Sequence, residues 1–253
     1  MLKHYINIIL LVINIFIAYI FFKDTNYFTS YLLFSGLLFF IVVSCGVLFL
    51  KFNYFLQSKI KLDTNQCLLT FDDGPDPQFT LKILDILKEE NVKSIFFLIG
   101  TKVELNPEIV ARIKHDGHYI GNHTYHHNNF LSLLPKSTIL KEIELGAEAI
   151  SKITIEEPTF FRPPIGYTNP NYARVLKKLK SINIGWNLRS YDTIYKDPIK
   201  FEKRMLRKVK NNDIVLFHDN LEITSLILHS FIKKSKNKGI IFVPLNDNKE
   251  LFT

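Results

Sequence analysis

Cysteine is nearly absent. Cys45 and Cys67 are the only two in 253 residues, which excludes a disulfide-stapled secreted miniprotein and any Cys-rich zinc or iron–sulfur module. A bound metal would have to be held by histidines and carboxylates. Acidic residues are outnumbered, 24 against 32 Lys and Arg, for a net charge of +8. The lysines are nevertheless spread along helix-like stretches (Lys177, Lys178, Lys180; Lys233, Lys234, Lys236) and read as solvated faces, so nucleic acid is not expected as a partner. No internal repeat is visible, and a 47% hydrophobic content supplies one sizeable core rather than a disordered or collagen-like polymer.

What the chain does contain is two long uncharged runs, Tyr5 to Phe22 and Thr25 to Leu50, interrupted by Lys23 and Asp24. A spanning helix needs about 20 apolar residues, so residues 1–50 are expected to form a transmembrane hairpin with spans at about 5–22 and 28–50. Tyr5, Tyr27, Tyr31 and Tyr54 lie near the ends, where amphipathic rings favour the headgroup level. A cleaved signal peptide is disfavoured because a second apolar run follows directly, with no small-residue cleavage pattern between the two. Val42-Val43-Ser44-Cys45 resembles a lipoprotein box only faintly, and Cys45 is read as a membrane-helix residue. Lys3 precedes the first span and Lys51, Lys59 and Lys61 follow the second. Positive-inside reasoning therefore expects a multi-pass protein of a bacterial-type inner (plasma) membrane, with membrane lipid as a partner and the following domain cytoplasmic.

A basic, polar linker at 51–65 leads to a domain at 66–253, where short apolar runs alternate with amphipathic segments. Candidate strands are Cys67–Phe71, Ser94–Ile99, Tyr119–Asn122, Thr159–Phe161, Ile182–Trp186, Ile214–Phe217 and Ile240–Val243. Candidate helices are Phe79–Glu90, Pro107–His115, Ser137–Lys152, Asn171–Lys180, Pro198–Lys210 and Glu222–Lys236. The alternation predicts an α/β fold of parallel strands with right-handed crossovers. The length suits a distorted (β/α)7-type barrel better than an eight-unit one, which needs about 250 residues.

Polar residues interrupt the apolar pattern at or just beyond the C-terminal ends of these strands: Asp72 and Asp73, His123, Arg162, Asp192 and His218. In a barrel those ends share one rim, where active sites form. Asp72-Asp73-Gly74-Pro75 is a common turn sequence, yet its neighbouring carboxylates repel each other unless a cation absorbs the charge. One can then ligate a metal while the other serves as a base. In His123-Thr124-Tyr125-His126-His127, spacing of four or three puts His123 on one helical face with His127 or with His126. Two imidazoles and a carboxylate make a facial set with open positions, as catalytic zinc or a similar ion requires.

Five ordered motifs between about Cys67 and Val243 give the chain its resemblance to the polysaccharide deacetylase family, the NodB-homology enzymes of carbohydrate esterase family 4. Thr70-Phe71-Asp72-Asp73-Gly74-Pro75 resembles the first, and His123-Thr124-x-x-His127 after Gly121-Asn122 the second, which selects His127. Arg162-Pro163-Pro164-Ile165-Gly166 resembles the third, Trp186 to Asp192 partly resembles the fourth, and Leu216-Phe217-His218 the fifth. The resemblance implies that Asp73, His123 and His127 hold a divalent metal, zinc first and cobalt or a similar ion next. Asp72 would be the general base, oriented and kept ionised by Arg162, and His218 the general acid, its charged form favoured by Asp192. Pro164, Ile165, Gly166 and Leu216 would line the substrate groove, with the Ile165 N–H as oxyanion donor.

Two departures stand out. The family commonly has an Asp three residues before the position of Asp192 and a Trp after it, where this chain has Arg189 and Thr193. Ile165 replaces a Tyr. Arg189 offers a fork for phosphate, although a solvated rim arginine is the commoner reading. Trp186, Phe96, Phe97, Phe160 and Phe161 are read as core, Cys67 as a small hydrophobe, and His4, His115, His118, His126 and His229 are given no role. The expected activity is removal of an N-acyl, first an N-acetyl, group from an amino sugar. A cytoplasmic domain would act on a lipid-linked saccharide precursor, an external one on finished wall or capsule glycan. A catalytically inactive glycan-binding barrel is the alternative; such a module has no need for metal ligands and a separate acid–base pair.

Overall fold

The computed structural model describes residues 1–245 and Phe252; the end of the domain expected to reach residue 253 otherwise lies outside the described residues. Helices α1 (Leu2–Phe22) and α2 (Phe28–Leu48) form an antiparallel pair whose apolar side chains are mostly exposed, and each is long and apolar enough to cross a membrane. Between them, Asn14 accepts from the Tyr31 hydroxyl at 2.9 Å.

The remainder is a seven-stranded, all-parallel sheet. Its strands are β1 (Leu68–Gly74), β2 (Ser94–Leu98), β3 (Tyr119–Asn122), β4 (Phe160–Phe161), β5 (Ile182–Asn183), β6 (Leu188–Arg189) and β7 (Ile214–His218), in the order β5-β4-β3-β2-β1-β7-β6. The two edge strands, β5 and β6, are consecutive and joined by residues 184–187 alone, so the sheet must curl until its edges approach. It is a distorted half-barrel. The connecting segment 51–65 fills the remaining gap: Lys59 bridges Ile184 and Lys61 bridges Asp213, while Tyr54, Phe55, Leu56 and Leu62 are buried.

The strand count meets expectation, but one member differs. Ile240–Val243 makes a single bridge, Phe242 to Cys67, and adds no strand to the sheet. Leu188-Arg189 takes the seventh place instead. A two-residue strand carries no readable alternation, whereas a buried apolar run looks like a strand whether or not a ladder continues.

Helices α3 (Phe79–Glu89), α4 (Gly100–Leu105), α5 (Pro107–His115), α6 (Lys136–Thr154), α7 (Pro170–Leu179), α8 (Pro198–Lys208) and α9 (Glu222–Asn237) cover the outside. In α3, Thr80, Ile83, Leu84 and Leu87 form the buried stripe at helical spacing. Asn169 and Asp197 cap α7 and α8, each followed by a proline at the first helical position. Strand alternation sorts the core into two sets. Leu69, Phe71, Phe96, Val215 and Phe217 pack with the helices, while Leu68, Ile95, Phe97 and Ile214 form an inner cluster with Leu62 and Ile184. Phe217 is fully buried, with rings of Phe71, Phe201 and Phe231 at 6.0, 6.2 and 5.8 Å. Phe217→Ala is expected to destabilise the domain by about 3–5 kcal/mol, measured as a lowered urea midpoint of the detergent-solubilised full chain.

Candidate active site

The same alternation aims the catalytic groups. On β7, His218 is in phase with the inner residue Ile214, and on β1, Asp72 is in phase with Leu68 and Thr70. Asp73 should then point outward. The β1–β2 register slips at this point, however, Asp72 pairing with Phe97 and Gly74 with Leu98, so Asp73 is the extra residue of a bulge, with φ of 73°. A bulge bends the strand and re-aims a side chain, and both adjacent carboxylates thereby reach the rim. Gly74 is required next, because a Cβ there would lie 2.1 Å from Asp219 Oδ2.

Asp73 Oδ1 lies 3.3 Å from Nε2 of His127 and 3.6 Å from Nε2 of His123. The three ligand atoms lie within 4.8 Å of one another, the one such group among the described residues. Tetrahedral zinc with bonds of about 2.0–2.1 Å has ligand–ligand edges of about 3.3–3.4 Å, so this donor set fits a zinc-sized ion. His123 Nδ1 meets the Arg162 carbonyl at 2.7 Å, which sets the tautomer with the proton on Nδ1 and the lone pair on Nε2. Burial, with the neighbouring His127, pushes the His123 pKa down to about 3, so the ring is neutral at ordinary pH. His126 turns outward onto Glu142, 2.7 Å away, and is not part of the set.

Asp72 is 4% exposed, and its Oδ1 accepts from Arg162 Nη1 at 2.6 Å. Burial pushes the Asp72 carboxyl up, while Arg162 and His218 pull it back only in part. The net direction is a stronger base, with Arg162 acting towards the ionised form against the burial. Across the cavity, His218 Nδ1 meets Asp192 Oδ1 at 2.7 Å, and Oδ2 of the same carboxylate accepts from the His218 N–H at 2.7 Å and the Thr224 hydroxyl at 2.9 Å. Burial opposes the imidazolium, but the Asp192 hydrogen bond and charge outweigh it and lift the His218 pKa to about 9.

The site cavity is about 250 Å³. Ile165 and Leu216 line it together with the five groups above, whereas Pro164 and Gly166 lie buried beneath their turn. Ile165 has φ of 59°, and in its turn Gly166 donates to Pro163 and Tyr167 to Pro164. Among the described residues, five of the ten left-handed non-glycine positions, Asp73, Thr124, His127, Ile165 and Tyr191, fall in these loops. Strain of that kind persists where the surroundings over-determine the backbone.

Three features escaped sequence reasoning. Trp186 walls the cavity, and Arg189 lines it rather than standing solvated on the rim. Asp219, fully buried, accepts from the Thr80 hydroxyl at 2.6 Å, and burial raises its pKa to about 7. Adjacency to His218 was the available signal, but its partner lies far away in sequence. A wider depression of about 780 Å³, along α6 and residues 157–159, contains none of these groups.

Asp73→Ala or His123→Ala is expected to weaken zinc binding about a hundredfold or more, read by competition with a chromophoric chelator. Asp192→Asn removes the anion that holds the imidazolium, so the His218 NMR titration midpoint should drop from about 9 towards the ordinary 6.5.

The family model for polysaccharide deacetylases matches residues 59–182. Two peptidoglycan-N-acetylglucosamine deacetylases of Bacillus cereus are similar: one is 35% identical over 70% of this chain, the other 31% identical over 71%. The chain spans 66% of the first and 85% of the second. The crystal structure of a peptidoglycan N-acetylglucosamine deacetylase in complex with a hydroxybenzamide superposes with a TM-score of 0.69 at 33% identity, over 73% of this chain and 88% of that one. The chain belongs to the polysaccharide deacetylase family.

Proposed function

We propose that this protein removes the acetyl group from an N-acetylated amino sugar of a cell-envelope glycan or its lipid-linked saccharide precursor, with a divalent metal, zinc first, held by Asp73, His123 and His127. The observation that carries this reading is one cavity holding that donor set together with Asp72 clamped by Arg162 and His218 clamped by Asp192. The names of the Bacillus cereus relatives favour N-acetylglucosamine as the sugar.

When bound, the metal acidifies a water molecule and polarises the substrate carbonyl. Arg162 occupies Asp72 Oδ1, which leaves Oδ2, 3.8 Å from His123 Nε2, facing the ligand set and able to take a proton from the attacking water. In this reading the Ile165 N–H donates to the oxygen on which negative charge develops, a role supported by its place in the cavity wall. As the C–N bond breaks, the departing nitrogen takes a proton from His218, which Asp192 keeps charged. One water is consumed, and acetate and a free amine leave. Leu216 and Ile165 offer apolar wall to the acetyl methyl.

In this reading α1 and α2 span the plasma membrane, with Lys3, Lys51, Lys59 and Lys61 on the catalytic side, which favours the cytoplasmic face. The domain after Lys51 should then resist protease added to intact cells; its digestion would place it outside, with assembled glycan as substrate. Asp72→Asn should retain zinc yet lower kcat on an N-acetylglucosamine oligomer by about 10²–10⁴-fold, measured as acetate release. Near-normal turnover would remove Asp72 as the base.

A further inference from the structure

We infer that the catalytic mouth opens at the membrane surface and that its substrate is an amino sugar carried on a lipid through phosphate, with Arg189 contacting that phosphate. The inference rests on the deacetylase reading above and on α1 and α2 spanning the bilayer.

The first support is where the hairpin meets the domain. The last four carbonyls of a helix lack intrahelical partners. In α2, the Gly46 carbonyl accepts from the Thr168 hydroxyl at 3.2 Å and the Val47 carbonyl from the Thr168 N–H at 3.1 Å. Thr168 belongs to the loop after β4, the loop that carries Ile165. They are three positions apart, at most about 11 Å of extended chain. Beyond α2 the chain passes Leu50 against Gly185, then Lys59 at Ile184, then Leu62 at Asn212 before β7, and only then turns up through β1 to Asp72. It leaves α2 beside the loop that carries Ile165 and reaches β1 past residues that precede β7. The other helix is tied in beside it, because Tyr54, packed on Gly46, accepts from Asn7 of α1 at 2.8 Å.

The rim also suits a bilayer surface. Phe130, Leu133 and Ile194, in the loops after β3 and β6, are 69–76% exposed. Beside Ile194, a depression of about 560 Å³ is lined by Lys196, Lys200 and Arg204. Apolar tips flanked by cations match an interface rich in anionic headgroups.

The second support is Arg189 itself. It lines the cavity half-buried, stacked on Tyr191 at 5.4 Å, and its Nε is buried without a hydrogen-bond partner. No carboxylate pairs with it among the described residues, since Asp72 is held by Arg162 and Asp192 by His218. A guanidinium left in this state binds a phosphate bidentately, and a neutral oligosaccharide has no such group to offer.

The test uses the full chain, loaded with zinc, in liposomes of phosphatidylethanolamine and phosphatidylglycerol. Acetate release is compared for polyprenyl-diphosphate-linked N-acetylglucosamine, N-acetylglucosamine 1-phosphate and the neutral oligomer. The lipid-linked substrate should exceed the oligomer about tenfold or more in kcat/KM, and Arg189→Gln should collapse that ratio, a change of about 1.4 kcal/mol or more in relative transition-state binding. Equal or better use of the oligomer by the unmodified chain overturns the inference while leaving the deacetylase reading intact. Equal use of the soluble sugar phosphate and the lipid-linked sugar overturns the membrane placement. Release from none of the three overturns the deacetylase reading itself.

Discussion

The fully buried guanidinium of Arg162 is the interaction on which the site and the closure of the half-barrel both depend. It donates to Asp72 and Thr70 on β1 and to the carbonyls of Ile184 and Gly185 beyond β5, so one side chain ties an interior strand to the open edge. Its flat faces lie against Phe97 at 4.1 Å and Trp186 at 5.4 Å. Removing a cation from water is costly, and the geometry has to return that energy through hydrogen bonds and a paired charge. Here four bonds do so, and the Arg162 backbone carbonyl meets His123 as well. Asp72, His123 and the sheet edge are thus positioned by one residue.

Around that anchor the protein divides its ionisable groups by environment. His123 and His218 share a small cavity, yet one is pushed down to about 3 and the other up to about 9. Burial acts against charge on both; Asp192 reverses the outcome for His218 alone. Separating like residues in this way is how one pocket holds a ligand and an acid at the same pH. Asp72 gains basicity from the same desolvation. The backbone contributes too, since Asp73, His127 and Ile165, which line the same cavity, all take left-handed conformations.

The hairpin is bound to this machinery rather than appended to it. Capping of the α2 terminus by Thr168 satisfies polar groups that the helix itself leaves unpaired, and the buried segment from Tyr54 to Leu62 completes the curled sheet. The helical pair and the rim loop that carries Ile165 consequently form a continuous structure.

Much was legible in the sequence because it is written locally. Uncharged runs mark the two long helices, alternating apolar runs and turn residues mark six of the seven strands, and motif spacing marks the Asp73, His123 and His127 set. What remained illegible depends on contacts between distant residues. The bulge that brings Asp73 beside Asp72 exists only against β2, the two-residue β6 only against β7, and the elevated Asp219 only against Thr80 and its buried surroundings. Residue type and order determined the chemistry available and the strand ends that carry it. The directions of the side chains, the charges they hold and the closeness of the anchor to the rim were decided by the folded structure, because desolvation, register and strand closure are properties of neighbours that the chain meets only once it has folded.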